Sequence, residues 1–199
     1  NQYSNPANAK THEHTTARSI HIAFPALDYL VVGAGTTGTL MGCVQYFRKH
    51  SPRTKIIAVD SAGSVTFGQA PGPRFIPGLG SSQMPPIFRA HHLHKQQVVD
   101  ERATVAMCRW LAKSNGVLAG GSTGTVVAGL AAPSLGIPKD AVVVAISPDA
   151  GERYLETIYN DEWVMQKFGR AELTALSSQP ITRYLKQYVH TFEGEALNV

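Results

Sequence analysis

The stretch "LVVGAGTTGT", Leu30 to Thr39, limits this chain more than any other. An apolar run enters a glycine turn with Gly33, Gly35 and Gly38 in the spacing G-x-G-x-x-G. Apolar residues at Leu40, Met41, Val44 and Phe47 then follow at helical spacing until Ser51-Pro52, and a second apolar run, "KIIAVD", ends at Asp60. Strand, glycine turn, helix and strand in so short a span make a βαβ unit. Such a unit needs a parallel sheet with a right-handed crossover. Asp60 stands about where a dinucleotide-binding unit places its ribose-binding acid, so a nicotinamide-dependent oxidoreductase is one reading of the turn.

The alternation continues downstream. Gln97 to Val99 reads as a strand, Asp100 to Ser114 as an amphipathic helix capped by Asp100, and Gly116 to Ala119 as a strand. "GGSTGT" opens a further helix near Thr123, and Ala141 to Ile146 reads as the last buried strand. Asn160 to Phe168 and Gln179 to His190 read as terminal helices. Asn1 to Arg18, rich in Asn, Pro and Thr, reads as loop. The class is α/β, an open and mostly parallel sheet with helices on both faces. The domain plan is a leading loop over 1–20, an α/β domain over 21–170 and a helical extension over 171–199. Ser61 to Pro86 is glycine- and proline-rich, but it keeps Val65, Phe67, Phe75 and Ile76, so an ordered, packed loop is expected.

Bulk properties exclude some classes. The 199 residues are 43% hydrophobic with a formal net charge of +4, and the basic residues are scattered with no aromatic interleaving, which gives nucleic acid no footprint. No apolar run is long enough for a membrane span, and the polar start has no secretory pattern. Cys43 and Cys108 read as buried free thiols of a reducing cytoplasm. "HHLH" at His91 to His94 and "HEH" at His12 to His14 lack partners at ligand spacing, so no metal site is assigned. Met107 and Trp110 read as core.

Three turns carry unusual residues: "GAGTTGT", "GGSTGT" and "SPDAGERY". The first two feed helix N-termini, where free N–H groups and the dipole favour an anion. Thr36, Thr37 and Thr39 add hydroxyl donors, which suit the three oxygens of a terminal phosphate better than a pyrophosphate diester. The same threonines also suit capping of the helix that starts there. Ser122 is placed to offer a hydroxyl to a ring nitrogen, or simply to cap the next helix.

These motifs, in this order after "NQYSNPANAKTHEHTT", resemble the fold-type II pyridoxal-phosphate enzymes of the cysteine synthase and cystathionine β-synthase family. The resemblance runs from Asn1 to about Trp163. The loop "DSAGSVTFGQAPGPRFIPGLGSSQMPP" is most similar to the N-(2-amino-2-carboxyethyl)-L-glutamate synthase branch, which serves 2,3-diaminopropionate formation in siderophore and antibiotic routes. The resemblance implies the large domain of a tryptophan synthase β-like fold, pyridoxal 5'-phosphate as cofactor and a homodimer. It also implies β-replacement on O-phosphoserine or O-acetylserine through an α-aminoacrylate, attacked by glutamate or sulfide. Gly35, Thr36, Thr37, Gly38 and Thr39 match the phosphate loop, although Thr37 stands where many cysteine synthases have glycine. Ser122 matches the serine on the pyridine nitrogen, and Pro148 and Asp149 match residues near the ring. Gln2 matches a glutamine beside the substrate carboxylate, and Gly78, Gly80, Ser81 and Ser82 fall in the loop at the site mouth. The Schiff-base lysine, which the family carries in an N-terminal domain, has no match here. No catalytic residue is therefore assigned within the chain, which is expected to be the C-terminal portion of an enzyme and inactive alone. A non-catalytic relative of the same fold is a further reading.

Overall fold

The computed structural model describes residues 1–170 and 180–193. Five strands form one sheet in the order β4-β1-β2-β3-β5: β1 Tyr29–Gly33, β2 Lys55–Ser61, β3 Lys95–Val99, β4 Val143–Ala145 and β5 Val189–Glu193. All pairings are parallel except that of β3 with β5. The helices are α1 Pro6–His12, α2 Arg18–Ala23, α3 Gly38–His50, α4 Glu101–Asn115, α5 Gly121–Leu130, α6 Asp161–Phe168 and α7 Ile181–Tyr188.

Strand side chains alternate between two cores, as a two-residue period demands. Leu30, Val32, Ile56 and Ala58 pack with Leu40, Met41 and Phe47 of α3 on one face. Tyr29, Val31, Ile57 and Val59 pack with Ala103 and Met107 of α4, Val126 of α5 and Leu185 of α7 on the other. Both faces of the sheet are thus covered, which explains why its strands read as continuous apolar runs.

The expected βαβ unit is present, with α3 and β2 close to their expected bounds. Asp100 caps α4 through Arg102 N, and Asn160 caps α6. The long loop is ordered and buries Phe67 and Ile76, while Phe75 stays exposed.

Several expectations are corrected by the structure. Residues 1–20 are not a loop: Asn5 accepts from Ala7 N and Pro6 occupies the first turn, so the Asn-Pro pair starts a helix. A π-helical turn, Glu13–Ala17, joins α1 to α2, and Ala9 and Ala17 are buried against the first core. Gly42 of α3 lets this segment approach closely, because a Cβ there would meet the Ala9 carbonyl. Gly116 to Ala119 is not a strand: Gly116 adopts φ 68 as the C-cap of α4, and only Ala119 pairs, antiparallel to Ala150. Ser122 therefore follows no strand and lies in the first turn of α5.

The segment around Val143 forms an edge strand of three half-buried residues, since it pairs on one side only. It is not the last strand, because Val189–Glu193 adds to β3. The 171–199 segment is accordingly no purely helical extension: α7 is followed directly by β5 within the same sheet, while 171–179, with Gln179, and 194–199 lie outside the described residues. Trp110 is 40% exposed, on the outward face of the helix whose Met107 is core.

Candidate active site

The chain runs outward from β1 through β2 and β3, then returns to place β4 on the other side of β1. The carboxyl ends of β1 and β4 therefore flank the topological switch point, where open α/β sheets bind their ligands. "GAGTTGT" leaves β1 there, and Ser147-Pro148-Asp149 follows β4.

Two loops close on this edge. Gly80 N donates to Ala34 O at 2.9 Å, which lays Gly78 to Gly80 over the glycine turn. A Cβ at Gly35 would stand 2.8 Å from Gly78 O, and one at Gly78 would stand 3.2 Å from Ser122 Cβ. Gly78 also has φ 113, a backbone state that a side chain would strain. Gly35, Gly78 and Ser122 thus converge from three separate segments of the sequence.

The phosphate-type turn has a strained centre. Thr37 adopts φ 67 directly before α3. Glycine adopts that left-handed state freely, whereas a β-branched residue adopts it only under strain. Thr37 is buried, and its Oγ1 has no hydrogen-bond partner. A buried hydroxyl in that condition costs free energy unless something accepts or donates to it. Thr36 Oγ1 accepts from Asn8 Nδ2 at 3.0 Å, and Thr39 Oγ1 meets His12 Nε2 at 3.2 Å. His12 Nδ1 in turn meets Thr16 Oγ1 at 2.9 Å. The opening helix therefore braces the turn from outside.

Ser122, only 4% exposed, donates from Oγ to Asp149 Oδ1 at 3.0 Å. Tyr154 OH donates to Asp149 Oδ2 at 2.8 Å, and Thr123 Oγ1 donates to Asp149 O at 2.9 Å. Burial, and then the bond to Asp149, push the Tyr154 hydroxyl up to about 12, so it stays a donor at ordinary pH. Gly120 completes the arrangement, since a Cβ there would overlap the Asp149 carboxylate.

The other expected site residues are distributed around this centre. Pro148 is exposed beside Asp149. Gln2 is exposed, and its carbonyl accepts from Asn8 Nδ2 at 2.8 Å. Ser81 is buried, with its hydroxyl donated to Gln83 O, while Ser82 Oγ accepts from Arg74 Nη2 at 3.0 Å. An open cleft of about 480 Å³ lies along this loop, lined by Asn1, Tyr3, Arg74, Gly80, Ser82 and Gln83 among others. Asn8, Tyr154 and Thr123 were not singled out from sequence. Asn8 was hidden by the loop reading of its segment, and the other two stand beside motifs without a spacing signal of their own.

Asp60 is 1% exposed inside β2, with Ser61 N donating to its Oδ1 at 2.8 Å. It cannot present a carboxylate to a ribose, so the nicotinamide fingerprint is incomplete in three dimensions. Lys55 and Lys95 open β2 and β3, at the opposite end of the sheet from the site. Lys49 pairs with Glu13, and Lys167 lies over the Phe75 ring. Among the described residues, no group of three or more His, Cys, Asp or Glu could hold a metal ion.

Comparison with known proteins identifies the family and its fold. The model of the pyridoxal-phosphate dependent enzymes matches residues 1–149, which include the glycine turn, Ser122 and Asp149. The chain belongs to this family. It is 39% identical over 166 residues to N-(2-amino-2-carboxyethyl)-L-glutamate synthase of Ralstonia nicotianae, covering 82% of this chain and 49% of that protein. Among solved structures, the O-acetylserine dependent cystathionine β-synthase of Helicobacter pylori matches with a TM-score of 0.73 at 33% identity, covering 80% of this chain and 53% of the other. An O-ureido-L-serine synthase matches with a TM-score of 0.73 at 30% identity, over 89% and 56% of the two chains. The fold is thus that of the family, and the chain spans about half the length of these relatives.

Proposed function

We propose that this chain forms the cofactor- and substrate-binding part of a pyridoxal-phosphate dependent synthase that replaces the β-substituent of an O-activated serine. The observation that carries the reading is Thr37. Its buried, unpartnered hydroxyl sits in a left-handed turn at the N-terminus of a 13-residue helix. A phosphate monoester supplies the acceptor that this hydroxyl and the first N–H groups of α3 lack. Gly35 to Thr39 would hold that phosphate, Ser122 would meet the ring nitrogen, and Pro148 and Asp149 would lie at the ring.

When bound, pyridoxal phosphate acts as an electron sink for charge developing at the substrate α-carbon. The chain's own part is to hold and orient. Gln2 and the Gly78 to Ser82 loop would line the mouth and position the substrate carboxylate. The buried glycine contacts keep the cofactor side of the site tight and free of competing side chains. No Schiff-base lysine is assigned within this chain, and the proposal includes that the chain alone does not turn over.

The similarity to the Ralstonia synthase supports glutamate as the nucleophile; a place in 2,3-diaminopropionate and siderophore formation is part of the same proposal. The O-acetylserine dependence of the Helicobacter pylori relative supports a serine-derived donor; O-phosphoserine as the other donor and sulfide as the second nucleophile class belong to the same proposal. No helix among the described residues is long and apolar enough to cross a membrane; a cytoplasmic homodimer is a further part of the proposal.

The test has two steps. Calorimetric titration of the chain with pyridoxal phosphate and with NAD should give binding of the first only; binding of NAD alone would sink the proposal. The complete reading frame, supplied with O-phosphoserine or O-acetylserine and either glutamate or sulfide, should then yield one product by mass spectrometry, and that product identifies the nucleophile.

A further inference from the structure

The loop of Gly78, Gly80, Ser81 and Ser82 is anchored by a side chain that lies outside the site. Glu101 opens α4 directly after the Asp100 cap and is only 6% exposed. Its Oε1 accepts from Phe75 N at 2.9 Å and from Ile76 N at 2.7 Å, and its Oε2 meets Phe75 N at 2.9 Å. A buried carboxylate is costly unless donors satisfy it, and charge-assisted bonds to two successive N–H groups are strong ones. The clasped pair leads straight into the loop. Ile76 packs where a Cβ on Gly121 would stand, next to Ser122 in the chain. Gly78, two residues on, has φ 113, and Gly80 has φ 85. Glycines in that region turn freely, so the backbone around them has little stiffness of its own. Its place is set at its ends, by Glu101 before Pro77 and by Gly80 N on Ala34 O after Leu79.

We propose that Glu101 is a positioning residue that acts through the Phe75 and Ile76 backbone: it holds the mouth loop in the arrangement that receives the substrate before the substrate arrives. This inference rests on the functional reading given above, in which that loop positions the substrate carboxylate. Without the clasp the loop populates other arrangements, and substrate binds only the competent one. Apparent affinity then falls by the fraction of molecules that are competent, while the geometry of the filled site is unchanged. The signature is a higher KM with the same kcat, as for any loss of binding that the ground and transition states share. A residue that only stabilised the fold would lower the melting temperature and leave both constants of the folded enzyme in place.

The experiment uses the complete reading frame loaded with pyridoxal phosphate. The donor is whichever of O-acetylserine and O-phosphoserine it consumes, with glutamate or sulfide saturating. Glu101→Gln keeps the shape but turns an amide N–H group toward the loop donors. It should raise the KM for the donor about tenfold, the equivalent of one charge-assisted hydrogen bond. The kcat and the dissociation constant of the cofactor should each stay within about twofold, since Glu101 touches neither reacting atoms nor phosphate turn. An unchanged KM, or a loss of kcat or of cofactor affinity in step with KM, overturns the inference and leaves the functional reading intact. An unmodified enzyme that binds the cofactor and consumes neither donor overturns that reading, and this inference with it. If Glu101→Gln does not fold by circular dichroism, Glu101→Asp decides by the same criteria, because it keeps the charge but withdraws the carboxylate from both N–H groups.

Discussion

The side chain of Asn8 occupies the space that a Cβ on Gly38 would need, and its Nδ2 donates to Gln2 O and to Thr36 Oγ1. One side chain thus ties the start of the chain to the first turn of α3.

Gly38→Ala should therefore destabilise the fold by about 1–3 kcal/mol, as an overpacked site does. The double change with Asn8→Ala should recover at least about 1 kcal/mol relative to the sum of the single changes. Urea unfolding of the four proteins measures this coupling; simple additivity would show that the contact is unimportant.

Thr37→Gly separates stability from binding. A β-branched residue at φ 67 is strained, and its buried hydroxyl has no partner. Its removal should stabilise the ligand-free chain by about 1–2 kcal/mol, after the entropic cost of glycine. The same change should weaken binding of pyridoxal phosphate about tenfold, through loss of one hydrogen bond to a dianion. Thermal melts and titration calorimetry report the two effects independently.

Asp60 makes stability fall with rising pH. Burial raises its carboxyl from 3.8 to about 6, so between those values the folded chain holds a proton that the unfolded chain has released. Its contribution is fully present below about pH 4, declines up to about pH 6, and is constant above that. Asp60→Asn should stabilise the chain at pH 7 by about 2–3 kcal/mol, with the advantage vanishing near pH 4. Denaturant unfolding at the two pH values checks the sign.

Cys43 and Cys108 are buried, and burial pushes both thiols up to about 12. Neither should react with an aromatic disulfide reagent at pH 8 in the folded chain, and both should react in denaturant. Prompt labelling of the native chain would contradict the packing of Cys43 in α3 or of Cys108 against Gly120.

Much of the fold was legible from local chemistry. The apolar runs of β1 and β2, the helical spacing of Leu40 to Phe47, the Asp100 and Asn160 caps and the glycines of the phosphate-type turn each act within a few residues, so pattern alone exposes them. What stayed hidden depends on partners far along the chain. Asn-Pro at Asn5 reads equally as turn or helix start, and it is the burial of Ala9 and Ala17 on α3 that selects the helix. Strand β5 has little pattern of its own and forms because β3 offers it an open edge.

The candidate site divides in the same way. Local pattern was enough to show that a glycine turn with extra hydroxyls leads into a helix N-terminus, and that Ser122 and Asp149 belong to glycine-flanked motifs. It took the folded chain to bring Gly35, Gly78 and Ser122 to one sheet edge, to put the strain of the turn on Thr37, and to bond Ser122 to Asp149. The reason is the parallel topology: its crossovers bring residues from distant loops together at the carboxyl ends of β1 and β4, a proximity that no local spacing encodes.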